Sequence, residues 1–160
     1  MKRIGLLLTL ALFASGCTTT TVTEQDIRAV AQSLDYGDST SATLVNKAWT
    51  AAKGKDYPEL FAYTNRCVEL YGDEGRKMNA ALTGFEPEPT AAKLWALNDV
   101  GTCLYIMAKA YVELEKYPQA VAAYDRLAND FNYAQCWDPK GWFWRPSDGA
   151  KLNADRYRNW

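Results

Sequence analysis

The sequence predicts an all-α fold, built from antiparallel helical hairpins and closed by an aromatic-rich C-terminal cap. Apolar residues recur at helical spacing on both sides of two short turns, which predicts two hairpins. Each turn is followed by a Tyr-Pro pair, and proline is well tolerated in the first turn of a helix. Three tryptophans crowd around the turn signal Asp138–Gly141 near the C-terminus, which predicts the cap.

Composition excludes several classes of function. The chain has 160 residues, enough for one domain with a hydrophobic core. Its formal net charge of −1 argues against nucleic-acid binding, which needs a basic surface to neutralise phosphates. It contains no histidine, so the commonest general base and the usual imidazole metal ligand are absent.

The N-terminus has the layout of a secretory signal peptide. Lys2 and Arg3 precede the apolar run Ile4–Phe13, and small residues follow it. That run is too short to span a bilayer alone, which favours a cleaved signal over a membrane anchor or a core helix.

The segment Ala14-Ser15-Gly16-Cys17 resembles the lipobox of bacterial lipoproteins, although Ala14 stands where that family usually has Leu. The resemblance implies cleavage before Cys17 and lipidation of its thiol. Thr18 follows instead of Asp, which in enteric-type sorting implies the outer membrane, with the protein facing the periplasm. The chain then divides into a signal peptide (1–16), a lipidated tether (17–40) and a helical domain (41–160).

Within the tether range, Glu24–Leu34 has helical spacing of its apolar residues. Two interpretations of this segment are possible: a short docking helix, or a tether that is disordered throughout.

The first hairpin is predicted over residues 42–72. A helix over Ala42–Lys53, capped by one of the three hydroxyl residues at 39–41, ends at Gly54. A second helix restarts at Tyr57-Pro58, and Gly72 is a candidate C-terminal stop. Glu74–Leu82 could form one more short helix.

The second hairpin follows a proline-containing insertion, residues 83–90. Thr90 is the predicted cap of a long helix, Ala91–Glu115, and Gly101 is a weak point that could divide it. The chain turns at Lys116–Pro118 and returns through Gln119–Phe131.

This second hairpin resembles a tetratricopeptide repeat (TPR). The matching positions are Leu104, Met107, Ala108, Tyr111, Tyr117, Ala120, Tyr124 and Leu127. The first hairpin matches less well and has one extra residue in its turn by this alignment. The two turn tyrosines, Tyr57 and Tyr117, are separated by more than the usual repeat period of about 34 residues, which indicates two hairpins with an insertion between them.

The resemblance implies a short TPR-like α-solenoid whose inner helices bind a peptide or another protein. The predicted partner-binding residues, on the hairpins and the cap, are Trp49, Tyr111, Tyr124, Trp137, Trp142 and Trp144. The alternative is a plain helical bundle in which these aromatic side chains fill the core.

The segment Phe131–Trp144 also allows two interpretations of its role. Its tryptophans could form a stacking platform for a sugar or a peptide, or a lid over the open end of the last hairpin. Lys151–Trp160 is predicted to form a last amphipathic helix with apolar positions at Leu152, Ala154, Tyr157 and Trp160.

Three cysteines follow Cys17, and an exported protein is expected to form one disulfide. Cys103 and Cys136 fall at the same end of the second hairpin, which predicts that they pair and that Cys67 stays a free thiol. Cys67–Cys103 is the rival pairing. No metal site or other cofactor is expected, because the cysteines lack Cys-x-x-Cys spacing and histidine is missing.

The leading hypothesis is therefore a lipid-anchored protein–protein interaction scaffold in the bacterial cell envelope. The alternative is binding of carbohydrate or peptidoglycan through the tryptophan-rich cap. An enzyme, most plausibly a glycoside hydrolase, is the third hypothesis, since such enzymes need two carboxylates beside a cleft. Its candidate acids near loops and aromatic residues are Glu86, Glu88, Asp138 and Asp148.

Overall fold

The structure is a computed structural model that describes residues 21–160. The predicted signal peptide and the lipidation site Cys17 lie outside the described residues. Within them the prediction of an all-α fold is confirmed: the chain forms α1 (Glu24–Ser33), α2 (Ser41–Gly54), α3 (Tyr57–Ala80), α4 (Glu88–Ala91), α5 (Trp95–Glu113), α6 (Tyr117–Asp130) and α7 (Pro146–Tyr157). A small hairpin of two antiparallel strands, β1 (Cys136–Asp138) and β2 (Trp142–Trp144), separates α6 from α7.

The helices pack mostly against their neighbours in the chain. α2 packs on α3, α5 on α6 and α6 on α7. α3 also packs on α5, although the insertion separates these two helices in the sequence. α2 also contacts α5, and α1 lies on α3. The core therefore runs between the hairpins, with α5 near its centre. Its largest fully buried apolar side chains include Phe61, Phe131, Leu44, Leu60, Leu97, Leu104, Ile106 and Leu127.

Of the two interpretations of Glu24–Leu34, the structure shows the short docking helix, which is α1. Thr23 and Asp26 form a capping box at the start of α1, each side chain accepting a backbone N–H of the other residue. Val22 and Ile27 are buried, and Lys116 Nζ donates to the Val22 carbonyl oxygen. The described part of residues 17–40 is thus attached to the helical domain.

The turns of the two hairpins have the same geometry. Lys55 and Glu115 both adopt φ 57°, the left-handed conformation that ends a helix. The next residue donates its N–H to a carbonyl five residues earlier in both hairpins: Asp56 to Ala51 at 2.9 Å, and Lys116 to Tyr111 at 2.8 Å. The expected extra residue in the first turn was therefore wrong, because the left-handed residue and this hydrogen bond lie at the same distance before Tyr57 and before Tyr117.

Two glycines expected to stop or divide helices lie inside them. α3 continues through Gly72 to Ala80, so the predicted stop was wrong. α5 is continuous through Gly101. A Cβ at Gly101 would lie 2.6 Å from the Cβ of Ala134, so this glycine allows the segment after α6 to approach α5 closely.

The insertion departs from the predicted boundaries. Thr90 lies within the short helix α4, so it does not cap α5, which begins at Trp95 after a turn. The insertion is tied to the C-terminal part of the chain by Gln135. This side chain accepts the Glu86 N–H at 2.8 Å and donates to the Glu86 carbonyl at 2.9 Å.

The C-terminal turn prediction is confirmed, since Asp138–Gly141 connects β1 and β2. Gly141 has φ 102° and donates its N–H to the Asp138 carbonyl at 2.8 Å. The last helix starts at Pro146, earlier than predicted, and buries Ala150 and Ala154. Leu152, predicted on its apolar face, is 73% exposed, so it lies outside the buried face that Ala150 and Ala154 form.

Among residues 21–160, the structure contains no helix that is both long enough and apolar enough to cross a membrane.

Candidate binding groove

A groove of about 990 Å³ lies between α2, the N-terminal half of α5, the insertion and the β-hairpin. This size lies at the upper end of typical small-molecule sites, roughly 300–1,000 Å³. We call it the tryptophan groove, after its aromatic lining: Trp49, Trp95, Trp137, Phe143 and Trp144. These residues come from three separate parts of the sequence, so the groove exists only in the folded chain.

The walls of the tryptophan groove expose large aromatic surfaces. Trp49, Trp95 and Trp137 are 41%, 45% and 52% exposed, although tryptophan is usually well covered in a folded protein. An exposed apolar surface of this kind marks an interaction site more often than a scattered hydrophobic residue does.

Contacts behind these walls fix the orientation of the rings. Trp137 and Phe143 are opposite each other in the β-hairpin and meet edge to face, with centroids 5.2 Å apart. Trp144 packs against Tyr105 at 4.9 Å, and Trp95 packs against Tyr71 at 5.5 Å. The hairpin is thereby held as one side of the groove.

Asp99 supplies a carboxylate inside the groove. It is partly buried on α5, and Ser41 Oγ, at the start of α2, donates to its Oδ2 atom at 2.5 Å. Burial raises the pKa of Asp99 above its ordinary value, and the hydrogen bond from Ser41 acts in the opposite direction. The carboxylate in the groove has therefore lost part of its hydration, and the hydrogen bond from Ser41 offsets only part of that cost.

The other polar groups near Asp99 are used to hold the groove together. Asn98 Nδ2 donates to the Ala91 carbonyl, and Asn98 Oδ1 accepts the N–H of Gln135, both at 2.8 Å. Thr102 Oγ1 donates to the Asn98 carbonyl and also lies 2.8 Å from Cys136 Sγ. These bonds fasten the insertion and the start of β1 to α5.

Sequence analysis missed Asp99. The position of Asp99 was the available signal, because it lies in the N-terminal half of α5, which is buried almost all round. The buried residues beside it are Ala96, Leu97, Asn98, Val100, Gly101 and Thr102. A helix of that composition packs into a core, so an acid within it needs a partner or a ligand.

The predicted partner-binding residues separate into two groups. Trp49, Trp137 and Trp144 line the tryptophan groove together, and Trp142 lies outside it, on the β-hairpin, 49% exposed. Tyr124 is only 3% exposed and belongs to the core, whereas Tyr111 is partly buried and stacks on Phe61 with centroids 4.4 Å apart. Neither tyrosine lines the tryptophan groove.

The candidate catalytic acids are not gathered into one constellation. Glu88 lines the groove at its rim. Asp138 Oδ1 accepts the N–H of Lys140 in the hairpin turn, Asp148 lies in the first turn of α7, and the Glu86 backbone is bound to Gln135.

Cys67, Cys103 and Cys136 are all buried thiols in the structure. Burial raises the pKa of Cys136 to about 12 and that of Cys103 well above its ordinary range, and the Cys67 thiol interacts with Cys103. Cys103 is thus adjacent to Cys67, its partner in the rival pairing. Cys136 contacts Thr102 and also contributes to raising the pKa of Cys103. The pairing of Cys103 with Cys136 stays a prediction. Within residues 21–160, no group of three or more acidic, cysteine or histidine side chains could hold a metal ion.

Comparisons with protein-family models, curated proteins and solved structures found no match to this chain.

Proposed function

We propose that this chain is a lipid-anchored scaffold of the bacterial cell envelope that binds a segment of a protein partner in the tryptophan groove. The observation that carries the proposal is the groove itself, in which three exposed tryptophans from separate elements face one cavity of about 990 Å³. Aromatic residues are enriched in protein interfaces because they cover a large apolar area with few rotatable bonds.

The proposal includes a TPR-like arrangement of the two hairpins. It is supported by their equivalent turns and by small or apolar residues at matching positions. Ala48 and Ala108 are both fully buried before the turn, and Leu60 and Ala120 are buried after it. Small side chains at such positions let the helices of a hairpin approach closely, as in helical repeats.

An extended ligand fits the surface better than a compact one. Trp49 borders the tryptophan groove and also a smaller groove of about 270 Å³, lined by Tyr57, Lys109 and Glu113 among others. A peptide that lies across Trp49 would use both cavities. This arrangement favours a partner segment over a single small molecule.

The envelope location is proposed from the lipobox-like sequence that ends at Cys17. Lipidation there would anchor the chain in a membrane, and the residue after it favours the outer membrane facing the periplasm.

Carbohydrate or peptidoglycan binding is the second candidate. It is favoured by the exposed rings of Trp137 and Trp142 on the β-hairpin, since flat indole faces can stack on sugar rings.

In-cell crosslinking of the tagged full-length protein, followed by mass spectrometry, tests the two functions. We expect a dominant protein partner that is lost in Trp49→Ala and in Trp137→Ala. Trp142→Ala is the matched control, because Trp142 is similarly exposed but does not line the groove.

A partner retained by Trp49→Ala and Trp137→Ala would refute the groove as the protein-binding surface. Recovery of cell-wall glycan alone, with loss of binding in Trp142→Ala, would transfer the function to the outer face of the β-hairpin.

A further inference from the structure

We propose that the tryptophan groove recognises an arginine side chain of the partner, stacked on the tryptophan rings and bound by the Asp99 carboxylate. This inference rests on the proposed function and identifies the chemistry by which the same groove selects its ligand.

The first support is the charge of the groove. Glu88 at the rim and Asp99 inside are the charged residues that line it, and both are acidic. No lysine or arginine is among the lining residues, so neither carboxylate is neutralised from within the groove. Indole rings also present a negative face, which attracts cations. The lining thus complements a positive group.

The second support is the unused hydrogen-bonding capacity of Asp99. Among residues 21–160, Ser41 is the hydrogen-bond donor to this carboxylate, and it uses Oδ2. No fully buried side-chain oxygen or nitrogen in this part of the chain lacks a partner, so Oδ1 must be reachable from outside. Because Asp99 lines the groove, a ligand in the groove can reach this oxygen.

The third support distinguishes arginine from lysine. A guanidinium is planar and weakly hydrated, so it stacks on aromatic rings and can donate two parallel N–H bonds to a carboxylate. The groove offers both types of surface: flat indole rings and a carboxylate whose Oδ1 is free to accept. The chain contains one such stacking contact already, between the Arg145 guanidinium and the Phe85 ring, with its centre 3.9 Å from the ring centroid.

The test is titration of the purified full-length protein, in detergent micelles at low ionic strength, with three blocked pentapeptides of sequence Gly-Gly-X-Gly-Gly. X is arginine, lysine or citrulline, the neutral analogue of arginine with nearly the same shape. Binding is followed by calorimetry and by tryptophan fluorescence. We expect arginine to bind about tenfold or more tightly than citrulline, with lysine in between.

Two protein variants complete the test. Asp99→Asn keeps the size of the side chain and removes its charge, so most of the preference for arginine over citrulline should be lost, and only the part that comes from Glu88 and the indole rings should remain. Glu69→Gln removes an acid on the exposed surface of α3, paired with Arg66, and should leave the preference for arginine unchanged.

Equal affinity for arginine and citrulline in the unaltered protein would overturn the inference. So would an arginine preference that is undiminished in Asp99→Asn, or fluorescence quenching by a neutral glycan that matches the arginine peptide.

The proposed function can fail separately. If crosslinking still shows a protein partner that depends on Trp49 but arginine has no advantage, the scaffold function stands and the arginine inference is wrong. If no partner depends on Trp49, the scaffold function is wrong, and any arginine preference would then describe a different ligand.

Discussion

Two aromatic regions of this molecule use similar residues for different purposes. Around the second hairpin, Tyr111 stacks on Phe61 and Tyr124 is almost fully buried. Around the tryptophan groove, Trp49, Trp95 and Trp137 are 41%, 45% and 52% exposed. The first region is a packed core, and the second is an uncovered surface.

The difference comes from the neighbouring elements. Tyr111 and Tyr124 face helices that lie beside them in the bundle, so their rings fill the space between helices. Trp49 and Trp95 lie on the walls of the groove, where the short helix α4 and the β-hairpin border their rings without covering them. Residue type alone therefore did not distinguish core from surface here.

The largest expected effect separates the two regions by stability. Tyr124→Ala should lower the free energy of unfolding by about 3–5 kcal/mol, because it removes a buried aromatic ring and leaves a cavity. Trp49→Ala should cost about 1 kcal/mol or less, since much of that ring is already exposed. Urea denaturation of the two variants gives the comparison. Similar losses for both would show that the groove is part of the core.

The second prediction concerns the contact that places the β-hairpin beside α5. Gly101→Ala should destabilise the protein by about 1–3 kcal/mol, because the new Cβ would lie 2.6 Å from Ala134 Cβ. Gly84→Ala is the control, since it has open space around it, and it should be neutral or slightly stabilising. A neutral Gly101→Ala variant would contradict the close packing of the segment that leads to the groove wall.

A smaller effect is expected from Asp99→Asn, and it should depend on pH. The pKa of Asp99 is raised in the folded state, so the folded protein binds this proton more tightly than the unfolded chain does. The stabilisation that protonated Asp99 contributes to folding is therefore fully present below the ordinary aspartate pKa of about 4. It is lost as the pH rises through the raised pKa of Asp99 in the folded protein. Asp99→Asn should be as stable as the unaltered protein, or slightly more stable, at neutral pH.

Denaturation of both proteins between pH 4 and 7 measures this difference. The titratable groups that face Asp99 are Glu88 in the groove and the thiols of Cys103 and Cys136, whose pKa values the Asp99 charge helps to raise. Ser41→Ala serves as a second variant, because loss of its hydrogen bond should raise the pKa of Asp99 further and move the transition to higher pH. A pH-independent difference would show that Asp99 does not titrate as described.

The smallest effect concerns the cysteines behind the groove. Cys103 and Cys136 are buried with raised thiol pKa values, so the folded protein should react with iodoacetamide much more slowly than the unfolded one. Rapid labelling of native Cys136 would indicate that the groove wall opens.

Peptide mapping of the exported protein without reductant then decides the pairing. Recovery of Cys103 linked to Cys136 would confirm the original prediction, and a link to Cys67 would favour the rival. A free Cys103 thiol would refute both.

Local sequence patterns are sufficient to predict the helical class, the two hairpins and most of their boundaries. These features depend on local physical chemistry: apolar periodicity, the Tyr-Pro pairs that open α3 and α6, and the turn at Asp138–Gly141. Three of the predicted binding residues, Trp49, Trp137 and Trp144, also lie together in the groove.

The surroundings of the glycines, the tyrosines and Asp99 depend instead on contacts between distant parts of the chain. Gly101 looked like a weak point in its helix, but α5 continues through it and packs closely against Ala134 at this position. Gly72 looked like a helix stop, but α3 continues through it to Ala80. The fold brings Ser41 within hydrogen-bond distance of Asp99, and it places Asp99 in a groove that Trp49 and Trp137 also line. Such long-range contacts leave no periodic signal, because the fold, and not the local sequence, decides which faces remain uncovered.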